Sequence, residues 1–171
     1  MSYALGIDLG TTYTAAAIYR DGRVETVSLG SHANTIPTVV YARESGEILV
    51  GEAALARGLN DPARFAREFK RRLGSGTEIV LGGETFATED LLGHVLRSVV
   101  ETVTAYCGEP PAEIVVTHPA SWADHRRDRL EAAVASAGLE RASLAAEPVA
   151  AAVFYASQER IPDDAVIAVY D

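Results

Sequence analysis

The sequence predicts an α/β protein whose mixed β-sheet has flanking helices and an inserted α+β subdomain. Three observations lead to this prediction. Short apolar runs separated by tight turns fill residues 4–29, strands alternate with helices after residue 110, and the region between them, 38–109, follows neither pattern. Strands joined by tight turns pair antiparallel, whereas strands joined through helices pair parallel. The sheet is therefore expected to contain both kinds of pairing.

The N-terminal strands surround the most informative motif of the chain, GIDLGTTYT at residues 6–14. It is typical of a strand, a Gly-Thr-Thr turn and a second strand, and a further turn leads to a third strand at 23–29. The N–H groups and hydroxyls of such a turn can bind an anion, and Asp8 at the strand end can hold a hydrated cation. Phosphate and magnesium would fit, but Asp and Thr are also common in ordinary turns. The motif alone leaves both interpretations open.

The region 38–109 is predicted to contain several strands and three helices. The predicted elements are strands at 37–41 and 48–50, helices at 52–59 and 62–73, strands at 77–81 and 84–87, and a helix from 88 to about 106. Thr88 is the expected N-cap of the last helix, and Glu89 and Asp90 suit its first turn. An apolar face on this helix predicts that it packs against the core; its members are Leu92, Leu96, Val99, Val100 and Val103.

The predicted helix at 62–73 carries a candidate site residue, Lys70. Asp61 as N-cap and Pro62 at the first helical position favour a helix start here. Apolar residues then recur every four positions, which predicts a buried stripe of Phe65, Phe69 and Leu73. Lys70 would lie on the flank of that stripe, in a basic run of a kind that usually forms a solvated face. Spacing alone therefore does not assign it a catalytic role.

The last third of the chain alternates strands with helices, which predicts parallel pairing. The predicted elements are strands at 113–117, 142–145 and 165–170, and helices at 124–137 and 148–158. Glu147 precedes Pro148 at the start of the second helix and, taken alone, is an ordinary carboxylate at a helix start. The final run, 165–170, is apolar and uncharged, so we expect it to pair with a sheet edge of another copy of the chain or to swap between copies; the alternative is a frayed terminus.

Composition excludes several classes of function. The chain has 171 residues, 48% of them hydrophobic, and a net charge of -9 with a pI near 4.9, which argues against nonspecific nucleic-acid binding. Its single cysteine, Cys107, cannot form an internal disulfide. No signal peptide and no apolar run long enough to span a bilayer are recognisable. The expectation is a soluble cytoplasmic protein without membrane contact. His118 and His125 are too sparse to indicate a metal site.

Four blocks of sequence together indicate a family. They are GIDLGTTYT at 6–14, TIPTVV with LVGEAA at 35–40 and 49–54, FKRRLG at 69–74, and AAEPVAAA at 145–152. In this order the blocks resemble the heat shock protein 70 (DnaK-type chaperone) family, in the first lobe of its actin-like ATPase, or nucleotide-binding, domain. The chain departs from the family pattern at THPASW, 117–122, and at Ala146, where the family usually has asparagine.

The resemblance implies an actin-like ATPase fold of the ribonuclease H-like type. It implies a core made of residues 1–37 and 110–162, an inserted subdomain at 38–109, and the first strand of a truncated second lobe at 163–171. The sequence stops at Asp171, where the family's second phosphate motif would begin. The chain is therefore expected to be a fragment that lacks the adenosine-binding half of the site.

The resemblance also implies roles for individual residues. Asp8 would hold Mg²⁺ through water, and Lys70 would steady the attacking water and the γ-phosphate. Glu147 and Asp171 would hold metal-bound waters or orient the nucleophile. The β- and γ-phosphates of ATP or ADP would be held by the turn, at Gly10, Thr11, Thr12 and Tyr13.

The function implied is that of a molecular chaperone that binds and hydrolyses ATP with Mg in the stress response. Unfolded peptides, co-chaperones and nucleotide exchange factors would be partners of the full protein, and the fragment alone is expected to be inactive. Two alternatives share parts of the pattern: a sugar or acetate kinase, and an actin-like filament protein. The block around Lys70 argues against both, because neither family is built around it.

Overall fold

The computed structural model describes residues 2–139, 141–158 and 169. Within these residues the strands are β1 (Ala4–Leu9), β2 (Tyr13–Arg20), β3 (Arg23–Val27), β4 (Thr35–Pro37), β5 (Val39–Ala42), β6 (Ile48–Val50), β7 (Phe65–Arg67), β8 (Ile79–Leu81), β9 (Glu84–Phe86), β10 (Glu113–His118) and β11 (Ala142–Ala146). The α-helices are α1 (Gly51–Gly58), α2 (Thr88–Cys107), α3 (Asp124–Ser136) and α4 (Glu147–Gln158).

A mixed sheet of six strands forms the centre of the described structure, in the order β11-β10-β1-β2-β3, with β4 also paired to β2. β1 is antiparallel to β2 and parallel to β10, and β10 is parallel to β11. The predicted meander and the predicted parallel pairs are both confirmed. The carboxyl ends of β1, β10 and β11 meet at one edge of the sheet, which is where parallel strands commonly present functional groups.

Alternation along β1 divides the sheet into a buried and an open face. Leu5, Ile7 and Leu9 are fully buried, whereas Gly6 and Asp8 between them are exposed. Successive side chains of a strand point to opposite faces, so one face of β1 packs into the core while Asp8 lies on the other. The core continues from this face into α2 and α3, whose buried residues belong to the same hydrophobic cluster.

The long helix α2 has the apolar face that the sequence predicts. Leu92, Leu96, Val99 and Val103 are fully buried, and Val100 is partly buried against them. The predicted N-cap, however, is wrong. Thr88 is the first residue inside the helix, the preceding Ala87 is extended and provides no side-chain cap, and the Thr88 hydroxyl is buried without a hydrogen-bond partner.

The predicted helix at 62–73 is also wrong. The chain instead forms a 3-10 turn at Pro62–Arg64, strand β7, and a second 3-10 turn at Phe69–Arg72. β7 pairs with β5, so the backbone of this segment finds hydrogen-bond partners in a sheet, and Glu68 with a φ of 54° prevents a continuous helix. Asp61 is not a side-chain cap; its carboxylate accepts a hydrogen bond from the Tyr41 hydroxyl at 2.9 Å.

The remaining predicted pairs of the middle region are present. β5 pairs with β6, and β8 with β9, which places a three-stranded and a two-stranded sheet between β4 and α2. The proposed division into a core and an inserted subdomain at 38–109 stays a prediction. The predicted strand at 165–170 lies outside the described residues except for Val169, which is exposed. No helix among the described residues is long and apolar enough to cross a lipid bilayer.

Candidate functional site

Lys70 lies inside the protein and not on a solvated face. Its side chain is 3% exposed, although the neighbouring Arg71 and Arg72 are exposed. The left-handed residue Glu68 turns the chain after β7, and in the short 3-10 turn that follows both Phe69 and Lys70 face inward. The expectation that Lys70 lies on the flank of a helix is therefore wrong, because the segment is not a helix.

The ammonium of Lys70 joins three separate parts of the chain. Its Nζ donates a hydrogen bond to the carbonyl oxygen of Leu9 at the end of β1. It lies 3.7 Å from Oε1 of Glu147 at the start of α4, and 5.0 Å from the ring centre of Trp122 in the loop between β10 and α3. Burial lowers the pKa of Lys70, while the carboxylates of Glu147 and Asp8 act in the opposite direction. A buried cation is thus balanced by two nearby carboxylates.

Asp8 is held at the same edge of the sheet by a neighbour that the motifs did not single out. The hydroxyl of Thr117 donates a hydrogen bond to Oδ1 of Asp8 at 3.0 Å. Ile7 pairs with Val116 in the parallel register, so Asp8 and Thr117 follow side by side. Asp8 is exposed, which leaves carboxylate oxygen available for a hydrated cation.

The turn between β1 and β2 is tight and well anchored. A Cβ on Gly10 would lie 2.1 Å from the carbonyl oxygen of Tyr13, so only glycine fits without moving the backbone. The N–H of Gly10 donates to the carbonyl of Asp8 at 3.1 Å, and the N–H of Thr38 donates to the carbonyl of Thr12 at 2.8 Å. The turn leaves Thr11 half-buried and both Thr12 and Tyr13 exposed.

Glu147 completes the group at this edge. It is the first residue of α4, and it directly follows the pairing of His118 with Ala146 in β10 and β11. Its side chain is 29% exposed, so it can contact both Lys70 and solvent. It is therefore a helix-start carboxylate and also the partner of Lys70. Asp171, the other carboxylate implied by the resemblance, lies outside the described residues.

Asp8 and Thr117 also line an open groove of about 770 Å³ between the outer face of the sheet and α4. The other residues that line it are mostly apolar, among them Tyr19, Val149 and Val153. Phosphate requires hydrogen-bond donors and cations. The candidate phosphate site is therefore the turn beside Asp8, and not the groove. Within the described ranges, no three His, Cys, Asp or Glu side chains are grouped so that they could ligate a metal ion directly.

Comparison with known proteins identifies the family. Two overlapping segments, residues 4–80 and 74–171, match the family model described as Hsp70 protein, and together they cover nearly the whole chain. The chain belongs to the Hsp70 family. The α/β architecture with its mixed sheet is consistent with the actin-like ATPase fold of Hsp70 proteins.

A curated relative agrees with this assignment. The chain is 37% identical over 161 residues to "Chaperone protein DnaK" of Elusimicrobium minutum (strain Pei191). The match covers 91% of this chain and 26% of that protein, so the chain spans about a quarter of the length of its Hsp70 relative. The family match supports the chaperone interpretation over the kinase and filament alternatives.

Two residues of the candidate site are the single members of their type in this chain. Lys70 is the single lysine among 15 basic residues, the other 14 being arginine, and Trp122 is the single tryptophan. An ammonium and a guanidinium differ in hydration and donor geometry, so a lone lysine in an arginine-rich chain is a signal that its position uses the ammonium. Thr117 offered a weaker signal, as a polar residue near the end of a predicted parallel strand.

Proposed function

We propose that this chain is the first half of an ATP- and Mg²⁺-binding cleft in an Hsp70-type chaperone that hydrolyses ATP. The observation that carries the proposal is the placement of Lys70. Its buried ammonium contacts Leu9, one residue beyond Asp8, and lies beside Glu147. Burying a charge is costly unless it is paired, and a purely structural role does not require a lysine at a carboxylate-rich sheet edge.

The side chains present have the chemistry that magnesium and phosphate need. Mg²⁺ prefers oxygen ligands and keeps several waters, and Asp8 and Glu147 provide carboxylates for such waters. When bound, Mg²⁺ neutralises charge on the β- and γ-phosphates. The turn at Gly10, Thr11, Thr12 and Tyr13 would provide the Thr11 and Thr12 hydroxyls for phosphate oxygens, together with backbone N–H groups other than that of Gly10, which already donates to Asp8. Thr117 fixes the Asp8 carboxylate through its hydrogen bond.

Lys70 would position the attacking water and the γ-phosphate. Its ammonium has three donors, of which Leu9 accepts one. The Oε1 atom of Glu147, 3.7 Å away, is beyond ordinary hydrogen-bond distance. Donors therefore remain for a phosphate oxygen and a water. Phosphoryl transfer depends mainly on positioning and charge stabilisation, which is what a fixed ammonium provides.

The whole protein's activity and partners are part of the proposal. ATP hydrolysis, a role in the stress response, a cytoplasmic location, and binding of unfolded peptides, co-chaperones and nucleotide exchange factors would belong to a protein longer than this chain. Asp171 would contribute its carboxylate at the cleft. Because affinity would come from contacts on both sides of the cleft, the chain alone is expected to bind ATP weakly and to hydrolyse it negligibly.

Isothermal titration with Mg-ATP and Mg-ADP tests this proposal. A longer protein that contains this chain and the following lobe should bind both nucleotides, and Asp8→Asn should weaken the binding more when Mg²⁺ is present than when it is chelated. The chain of residues 1–171 should show little binding. Low-micromolar ATP affinity for residues 1–171, or an Asp8→Asn effect that is independent of Mg²⁺, would contradict the proposal.

A further inference from the structure

The single lysine and the single tryptophan of this chain are in contact. Lys70 Nζ lies over the indole ring of Trp122, 5.0 Å from the ring centre. Both side chains are buried, at 3% and 8% exposure. A cation over the face of an aromatic ring is attracted by the ring quadrupole, and tryptophan gives the strongest such attraction.

The indole is itself fixed in place from several directions. The Trp122 ring stacks on His118 at the end of β10, with 6.3 Å between ring centres and an interplanar angle of 16°. The guanidinium carbon of Arg126 in α3 lies 5.9 Å from the same ring. The backbone of Trp122 is also held, since its N–H donates to the carbonyl of Pro119 at 3.1 Å and its carbonyl accepts from Arg127 at 3.4 Å. The ring is thus a rigid surface under a flexible lysine.

We propose that Trp122 is a positioning residue for Lys70, which holds the ammonium by its ring face and leaves the N–H donors free for ligand. The inference rests on the proposed function, because the ligand is phosphate and water in that cleft. A lysine side chain has four rotatable carbons and no fixed direction of its own. Leu9 provides a single hydrogen bond and Glu147 lies at 3.7 Å, so these two contacts alone fix the ammonium poorly.

The ring face of Trp122 holds the Lys70 ammonium in a different way from an additional hydrogen-bond acceptor. A carboxylate or carbonyl in place of Trp122 would use a donor of Lys70, whereas the quadrupole attracts the whole cation without using one. Removal of the ring should therefore leave Lys70 able to bind phosphate but less well directed. Positioning acts mainly on the transition state, so kcat is expected to change more than nucleotide affinity.

Two substitutions separate the ring face from its volume. Trp122→Phe keeps an aromatic face, and Trp122→Leu keeps apolar bulk without one. Because the chain has one lysine, protein labelled with ¹³C-lysine gives a single lysine ε-CH₂ signal. Ring currents should move that signal upfield of free lysine in the wild type, less in Trp122→Phe, and least in Trp122→Leu. Circular dichroism checks that each variant is folded, and Tyr106→Leu, an exposed residue of α2, is the control.

Single-turnover kinetics in the longer protein supply the second readout. Trp122→Leu should lower the rate of ATP hydrolysis by about three- to tenfold, and Trp122→Phe by about twofold or less, with the dissociation constant for ATP changed less than the rate. Equal lysine signals in all three proteins, or equal rates in the Phe and Leu variants, would overturn the inference. If the wild type hydrolyses no ATP, the proposed function fails, while the lysine signals still decide whether Lys70 lies against the face of Trp122.

Discussion

Replacing Lys70 by two residues of different length separates its role in stability from its role in chemistry. Lys70→Ala removes three buried methylenes, which at about 0.8 kcal/mol each should cost about 2.4 kcal/mol of unfolding free energy, and more if a cavity remains. Lys70→Met keeps an apolar stem and removes only the ammonium. In Lys70→Met, the loss of the hydrogen bond to Leu9 should lower the unfolding free energy by about 1–3 kcal/mol. Because methionine has no charge to bury, the folded state should regain a similar amount.

The expected unfolding free energy of Lys70→Met is within about 1 kcal/mol of the wild-type value, and that of Lys70→Ala is about 2–3 kcal/mol lower than the wild-type value. Urea denaturation of the chain followed by circular dichroism measures both, and avoids the fluorescence of Trp122, which contacts Lys70. Both substitutions should abolish efficient hydrolysis in the longer protein. Equal destabilisation by Met and Ala would refute the reasoning, because the ammonium would then be a structural anchor.

Three further predictions concern the turn, the core and the C-terminus. Gly10→Ala should destabilise the chain by about 1–3 kcal/mol in urea denaturation, because its Cβ would lie 2.1 Å from the Tyr13 carbonyl oxygen. Gly6→Ala is the control and should be nearly neutral, because the nearest atom to its Cβ would be 3.8 Å away. Burial raises the pKa of Tyr3 to about 12. The unfolded chain therefore loses this proton first, and the free energy of unfolding should fall between pH 10 and 12. Tyr3→Phe should flatten that fall when denaturation is measured as a function of pH. Deletion of residues 163–171 should reduce self-association in light scattering, and equal monomeric masses with and without them would contradict strand pairing.

Most of the fold follows from sequence because its strands and helices have clear periodicity. β1 alternates buried and exposed residues, and α2 carries its apolar residues on one face. The segment 62–73 was different. Its apolar residues are four apart, which fits a helix, yet β7 pairs with β5 and Glu68 adopts a left-handed conformation. Pairing with a strand more than twenty residues earlier is a tertiary effect that a local pattern does not contain.

The sequence predicted Asp8, the turn after it, Lys70 and Glu147 as candidate site residues, but it did not predict Thr117, Trp122 or the geometry that brings these residues together. Asp8 and the turn after it are marked by a compact motif, whereas the role of Glu147 comes from the family resemblance, because a position at a helix start alone indicates an ordinary carboxylate. The burial of Lys70 was not predictable, because it depends on the turn that replaces the expected helix. The contact with Trp122 was not predictable either, since the two residues are 52 positions apart in the sequence and meet only through the sheet edge.

The proposal that Lys70 belongs to an ATP-hydrolysing cleft is tested most directly by single-turnover hydrolysis in the longer protein. Wild type and Lys70→Ala are loaded with ATP and Mg²⁺, and the rate of phosphate release is compared with the dissociation constant for ATP. The proposal predicts that the rate falls by about 10²-fold or more while affinity changes much less. Hydrolysis at the wild-type rate in Lys70→Ala would contradict it.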